Sequence, residues 1–268
     1  MNADASAIAS ARSLLFVPGD RPDRFDRALS SGADLVIVDL EDAVAPAART
    51  AARDHVRGLV ETGARVIVRI NGAGTSDEAA DRALVDRGGI FGVMLPKAEP
   101  GPMLDWIVTR VPLIALIESA RGVAAVHQIA ATPGVARLAL GTIDLANDLG
   151  MASDTGLLDP IRLSLTIASR AAGLPPPIDG VCAAFRDTAA MLGEVRRAAD
   201  LGFSGKLCIH PMQVELVHSA LAPDDEAVAR ARRILAAANA ADGKACALDG
   251  EMIDAPVVER ARLILSRL

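Results

Sequence analysis

Short aliphatic runs alternate with Ala-rich stretches along most of the chain, and this alternation limits the fold more than any other feature. The runs are Leu14–Val17, Leu35–Asp39, Val66–Ile70, Gly92–Leu95, Leu113–Ile117, Arg137–Leu140, Ile178–Val181 and Lys206–Ile209. Between them, Asp23–Ser30, Ala47–Glu61, Asp77–Arg87, Gly122–Ala131, Pro160–Ala172 and Arg186–Leu201 have helical composition. A strand-then-helix rhythm predicts a parallel sheet, because parallel neighbours need a crossover that a helix supplies. Eight units in succession predict an α/β fold of the (β/α)₈ TIM-barrel type rather than an open doubly wound sheet. No Gly-x-Gly-x-x-Gly follows the first run, so the dinucleotide-binding form of the open sheet lacks its signature. The composition agrees: 51% of residues are hydrophobic but only 2% aromatic, with no Tyr. The core is therefore packed from Ala, Val, Leu and Ile, which suits strands buried on both faces.

The alternation stops after residue 210. Glu226–Ala240 reads as a long helix, Asp242–Gly250 as a polar, turn-rich loop and Ala255–Leu268 as a last helix. The expected organisation is a loose N-terminal leader at 1–12, the barrel at 13–220 and a C-terminal helical arm or lid at 221–268. The leader lacks the basic start and apolar stretch of a signal peptide. No run approaches the roughly 20 apolar residues of a membrane helix. A cytoplasmic protein with no membrane partner is expected. The net charge of −6 and the lack of any Lys/Arg cluster speak against nucleic-acid binding. Cys182, Cys208 and Cys246 are far apart and form no Cys-x-x-Cys, so free thiols are expected rather than a disulfide framework or zinc site.

Barrels of this type carry their chemistry at the carboxyl ends of the strands. The runs end there in Pro18-Gly19-Asp20-Arg21, Asp39-Leu40-Glu41-Asp42, Arg69-Ile70-Asn71-Gly72, Pro96-Lys97, Glu118-Ser119-Ala120-Arg121, Gly141-Thr142-Ile143-Asp144, Asp179 and His210-Pro211. Any one such charge is accounted for by a salt bridge or a helix cap. A whole ring is different, because several carboxylates around one cavity repel each other and a divalent cation relieves that repulsion. Glu118 and Asp144 follow adjacent strands at equivalent points and form the best pair of hard oxygen ligands. They suit Mg²⁺, with Mn²⁺ as a substitute. Arg69 is the candidate carboxylate clamp, since its fork matches two oxygens at once; the bland alternative pairs it with Glu41 or Asp42. Of the four histidines, only His210 stands at a strand end. No Gly-x-Ser-x-Gly elbow, Ser-His-Asp spacing or HExxH is present.

The stretches Leu15-Phe16-Val17-Pro18-Gly19-Asp20-Arg21-Pro22, Val38-Asp39-Leu40-Glu41-Asp42-Ala43-Val44, Val68-Arg69-Ile70-Asn71, Leu95-Pro96-Lys97, Ile117-Glu118-Ser119-Ala120-Arg121-Gly122, Gly205-Lys206-Leu207-Cys208-Ile209-His210-Pro211 and Leu248-Asp249-Gly250-Glu251-Met252-Ile253-Asp254 together resemble the citrate lyase β-subunit family. That family includes malyl-CoA and citramalyl-CoA lyases and is related to malate synthases. The resemblance covers nearly the whole chain in order. It implies Mg²⁺ on Glu118 and Asp144, and Arg69 on the oxygens of a 2-oxoacid. It places Glu41 and Asp42 beside the metal's waters, and the thioester arm near Phe16, Arg21, His210 and Pro211. Asp249 matches an acid on a C-terminal lid that in relatives can close over a neighbouring subunit's site, where it would serve as proton donor or base. A homotrimer or hexamer is implied. In one place the chain departs from the pattern: the family usually reads Gly-x-Glu-Asp-Leu where this sequence has Gly141-Thr142-Ile143-Asp144-Leu145.

The expected reaction is Mg²⁺-dependent cleavage or formation of a carbon–carbon bond in a 3-hydroxyacyl thioester, with acetyl-CoA and a 2-oxoacid as the other side. Several readings stay open beside it. One is a citrate lyase β subunit working on a citryl group held by an acyl-carrier protein. Another is a malate-synthase-like or thioester-hydrolysing enzyme. A third is an aldolase using free pyruvate, against which Glu41-Asp42 stands where related aldolases carry Glu-His. The last, from a different class, is a non-catalytic barrel that binds a CoA ester.

Overall fold

The computed structural model describes residues 3–151, 156–242 and 244–265. The chain forms two compact units, Met1–Ala220 and Leu221–Leu268.

In the first unit eight parallel strands close into a barrel in sequence order. They are β1 Ser13–Pro18, β2 Leu35–Asp39, β3 Val66–Arg69, β4 Gly92–Leu95, β5 Leu113–Ile117, β6 Val135–Leu140, β7 Ile178–Asp179 and β8 Gly205–Cys208, and β8 pairs back onto β1. Every residue of β2 and of β5 is buried. This is why those strands are continuous aliphatic runs and not alternating ones. The crossover helices bury one stripe each. Thr188–Asp200 shows the pattern: Met191, Val195 and Ala198 are buried at a spacing of four and three residues. Its start is fixed by Asp187, whose side chain accepts the Ala190 N–H at 3.0 Å. Such a cap contributes about 1 kcal/mol. Two further helices, Pro102–Val108 and Thr142–Asp148, were too short to stand out in the sequence, and Met212–Leu221 continues the helical layer past the point where the alternation was expected to stop.

The expected loose leader is corrected by the structure. Helix Ala3–Ser10 precedes β1, Ile8 is 0% exposed, and both Ile8 and Ala11 belong to the core cluster with Leu14, Ile67 and Ile114. Arg137, fully buried near the start of β6, donates to the carbonyls of Ile8 (2.9 Å), Ala11 (2.6 Å) and Pro176 (2.7 Å) and to Ser204 Oγ (2.9 Å). Its partners lie ahead of β1, β7 and β8, so this segment closes the amino-terminal end of the barrel. A buried guanidinium without acceptors is costly, and here the leader supplies two of its four, with Pro176 and Ser204 supplying the others. The first two leader residues lie outside the described residues.

The second unit holds helix Asp225–Ala240, strands β9 Cys246–Leu248 and β10 Glu251–Ile253, and helix Ala255–Leu265. The polar loop expected at Asp242–Gly250 is in large part a hairpin. Asp249 and Gly250 both have positive φ, 54° and 85°, which two-residue hairpin turns of this kind require. Ala231, Ile234, Ile253 and Ala261 form this unit's own small core. Residues 243 and 266–268 lie outside the described residues. Among the described residues no helix is long and apolar enough to cross a membrane.

Candidate active site

A cavity of about 260 Å³ opens among the carboxyl ends of the strands. Asp39, Asp42, Glu118, Asp144 and Arg69 supply its charged lining; Phe16, Leu116, Ile143, Val181, Leu207 and Ile209 supply an apolar wall. A larger hollow of about 360 Å³ is lined by residues 108–112, 134–136 and 173–175, and its sole ionisable side chain, Arg110, is paired with Asp86 at 2.6 Å. The convergent charges single out the smaller cavity.

Asp39 and Arg69, the last residues of β2 and β3, are partners in the strand register. Their side chains therefore point the same way and meet as a two-pronged pair, Nε on Oδ1 at 2.7 Å and Nη2 on Oδ2 at 2.6 Å. The remaining edge of the guanidinium reaches Glu41 Oε2 at 3.2 Å and Asp42 Oδ2 at 3.5 Å, and its face lies 4.9 Å from the Phe16 ring. Burial works against the charged form, but the hydrogen bonds and charge of Asp39, with Glu41 and Asp42, keep Arg69 more firmly protonated than usual. The same Asp39 carboxylate accepts the N–H groups of Glu41 and Ala43, both at 3.0 Å, and so shapes the loop that carries Glu41 and Asp42. Behind it, buried Asn71 donates to Asp81 Oδ2 from its backbone (2.7 Å) and its amide (2.8 Å), and to the Leu40 carbonyl at 3.1 Å. Arg53 closes the network on Asp81 Oδ1 at 2.6 Å. The loops after β2 and β3 are thus fixed to each other by charge-assisted bonds.

Glu118 leaves β5 with only 3% of its surface exposed. Its Oε1 accepts the Lys97 N–H at 2.9 Å. The Lys97 ammonium stands 3.8 Å from that oxygen and 3.1 Å from Glu41 Oε1. Burial, then repulsion from Glu41, with a smaller push from Asp144, raises the Glu118 carboxyl to about 8. Lys97 holds this position in a left-handed backbone, φ 46°. Outside glycine that conformation costs roughly 1–3 kcal/mol. Gly141, at the head of helix Thr142–Asp148, lets Glu118 lie close, because a Cβ there would collide with the Glu118 carboxylate. Asp144 follows in the first turn of that helix.

Among the described residues no three His, Cys, Asp or Glu side chains gather as a ready-made metal cage. Two carboxylates, with water and substrate completing the shell, match the habits of Mg²⁺. The fit is carried by Glu118: a buried carboxyl crowded by Glu41 and Asp144 lacks a full counter-charge, and a hard divalent cation on oxygen donors provides one.

The structure thus brings Phe16, Arg69, Asp42, Glu118 and Asp144 to one cavity, with Glu41 directly behind it. Other candidates are not among the residues that line it. Arg21 is turned to Asp23 at 2.8 Å and does not line the cavity. His210 stacks on Phe185, with ring centroids 5.0 Å apart, and accepts the Met212 N–H. Pro211 begins the following turn, so Ile209 represents that segment in the wall. Asp249 belongs to the second unit, at its hairpin turn, paired with Arg233. Asp179, expected as a rim acid, is instead wholly buried, bonded to Arg162 at 2.9 Å and Lys206 at 2.6 Å. Asp39 went unassigned in the sequence reading. The signal for it was an acid closing a buried run one strand before an arginine in the same place.

Comparison with known proteins adds what geometry leaves open. The family model described as HpcH/HpaI aldolase/citrate lyase matches residues 12–211. A (3S)-malyl-CoA thioesterase of Cereibacter sphaeroides is 33% identical over 272 residues, 96% of this chain and 92% of the relative. An L-malyl-CoA/beta-methylmalyl-CoA lyase of the same species is 34% identical over 298 residues, 95% and 93% of the two chains. The crystal structure of CitE from Mycobacterium tuberculosis, in complex with magnesium, acetoacetate and coenzyme A, superposes with a TM-score of 0.85 at 36% identity, covering 97% of this chain and 98% of that one.

Proposed function

The chain belongs to the HpcH/HpaI aldolase/citrate lyase family, and from that membership we propose that it is a Mg²⁺-dependent lyase that splits a 3-hydroxyacyl-CoA such as malyl-CoA or citramalyl-CoA into acetyl-CoA and a 2-oxoacid, or runs that reaction in reverse. Carbon–carbon lyase chemistry comes with the family; the acyl group is the proposal. One observation carries the reading. The raised, buried Glu118 shares a 260 Å³ cavity with Asp144 and with an Arg69 already fixed by Asp39. The reading takes the two acids as the metal-binding pair and the Arg69 guanidinium as the partner of a substrate carboxylate, around a space that suits a small 2-oxoacid.

Glu118 and Asp144 hold the cation in this reading. Bound there, Mg²⁺ supplies a Lewis acid for the oxygen that changes between hydroxyl and carbonyl. Arg69 binds and orients the 2-oxoacid carboxylate, and its own orientation is set beforehand by Asp39 and the Phe16 face, so little is lost in ordering it. The apolar wall excludes water from the acyl side. When the bond breaks, the hydroxyl gives up its proton as it becomes the carbonyl, and the bond's electron pair moves onto the thioester carbon unit, which takes up a proton. We assign that proton, or its removal in condensation, to the Asp249 carboxyl on the hairpin turn of the second unit. The Phe16 loop and the His210-Pro211 turn are assigned to the thioester arm, and a homotrimer or hexamer in the cytoplasm is the assembly assigned.

The relative named a malyl-CoA thioesterase favours a second reading, in which the same site admits water and releases free CoA. Acetyl-CoA release from malyl-CoA and citramalyl-CoA, with and without Mg²⁺, tests the proposal alongside Glu118→Ala and Asp144→Ala. Turnover that needs the metal and is lost in both variants supports it. A folded, metal-loaded wild type inert on both esters overturns it and leaves the carrier-protein substrate or the non-catalytic barrel.

A further inference from the structure

Lys97 meets the acids beside the cavity twice, and its two contacts do different work. Its backbone N–H is 2.9 Å from Glu118 Oε1. Its ammonium is 3.1 Å from Glu41 Oε1, while Arg69 Nη1 is 3.2 Å from the other Glu41 oxygen. Glu41 therefore sits between two cations, and its side chain is 10% exposed. Glu118 receives a directional N–H bond and has the ammonium only at 3.8 Å. Lys97 holds both contacts from a left-handed backbone, φ 46°, two residues after the end of β4. A non-glycine residue kept in that conformation points to work done by its side chain, because glycine would adopt the turn without strain.

We propose that Lys97 is a positioning residue with two separable parts: its N–H aims Glu118 at the divalent cation, and its ammonium keeps Glu41 paired and apart from that cation. The inference rests on the metal-dependent reading above and adds to it a division of labour between the two glutamates. Glu118 is left to Asp144 and the metal. Glu41, held between Lys97 and an Arg69 that it shares with Asp39 and Asp42, has its charge partly offset towards an incoming 2-oxoacid carboxylate. Two opposite consequences follow from Coulomb's law. The ammonium repels a divalent cation at Glu118 while it shields the anionic substrate from Glu41. Removing it strengthens the first interaction and weakens the second.

The test is calorimetric titration of Mg²⁺, and then of pyruvate and glyoxylate onto the Mg²⁺-loaded protein, using wild type, Lys97→Met, Lys97→Gly and Lys97→Arg. Met keeps the N–H and the backbone strain but loses the charge. Gly keeps the N–H, relieves the strain and loses the charge, so it serves if Lys97→Met fails to fold. Both neutral variants should bind Mg²⁺ about three- to tenfold tighter, the half-exposed ammonium being partly screened, and the 2-oxoacid about tenfold more weakly. Lys97→Arg should restore both to within about twofold of wild type. General damage to the site would weaken both ligands together, so movement in the same direction, or none in either, overturns the inference. A wild type that binds neither Mg²⁺ nor a 2-oxoacid removes the metal-dependent reading itself, before any variant is compared.

Discussion

Asp39 and Arg69 close β2 and β3 side by side, joined by two parallel hydrogen bonds of 2.7 and 2.6 Å, with Asp39 only 1% exposed. The pair fixes the cation that faces the cavity before any substrate arrives. Asp39 also shapes the Glu41–Asp42 loop through two backbone N–H groups. One carboxylate thus sets both the Arg69 guanidinium and the acids around it.

Replacing Asp39 with Asn keeps its shape but removes the charge and half of the fork. Loss of a bidentate, charge-assisted contact of about 2–3 kcal/mol lowers kcat/KM by roughly 100-fold. The loss should fall mainly on the KM of the 2-oxoacid in the condensation direction. Steady-state kinetics with varied 2-oxoacid separates this from an effect on kcat alone.

Glu118, raised to about 8 by burial and by Glu41, must lose a proton before it can hold a cation. Mg²⁺ affinity should therefore rise about tenfold per pH unit between pH 6 and 8 and then level off, with close to one proton released per ion. Titration in buffers of different ionisation enthalpy counts that proton. The sign for stability is opposite. An acid whose folded pKa lies above its unfolded value of about 4.3 binds more protons when folded, so its contribution is present below that value and lost as pH rises towards 8. Without Mg²⁺, wild type should lose stability relative to Glu118→Gln across that window, as urea denaturation curves will show.

Gly141→Ala tests the close approach of Glu118. The added Cβ collides with both the carboxylate and the Cβ of Glu118, so the side chain and the strand end that carries it have to shift. Mg²⁺ affinity should fall about tenfold or more while the protein stays folded, since one misplaced ligand of a sparse metal site is felt directly. Mn²⁺ binding followed by electron paramagnetic resonance, beside a thermal melt, reads both properties.

Ile8→Ala tests the N-terminal closure. Ile8 is fully buried, so removing its side chain should cost about 2–4 kcal/mol. The midpoint of urea unfolding should drop accordingly, with little change in Mg²⁺ affinity, because the cavity lies at the other end of the barrel.

Much of this was readable in the chain. The eight strands announce themselves as aliphatic runs because parallel barrel strands are buried on both faces, and the acids after β5 and β6 stand out against them. The N-terminal helix did not, since Ala3–Ser10 is made mostly of small residues and the Ile8 carbonyl is bound by Arg137, 129 residues away. Asp179 was misread because a strand end does not say which way its side chain turns. Asp179 and Lys206 are register partners and share a direction, towards Arg162 and Glu194 on the helical layer. Asp39 and Arg69 share the other, towards the cavity. The hairpin of the second unit was hidden by strands of three residues each, although Asp249-Gly250 is a strong hairpin turn signal.

The most direct test of the central claim is mass-spectrometric identification of the products that wild type makes from malyl-CoA and citramalyl-CoA in the presence of Mg²⁺. Acetyl-CoA with glyoxylate or pyruvate in equal amounts, absent when EDTA is added, is the expected result. Free CoA with an intact hydroxy acid would contradict carbon–carbon cleavage and make the site a thioesterase.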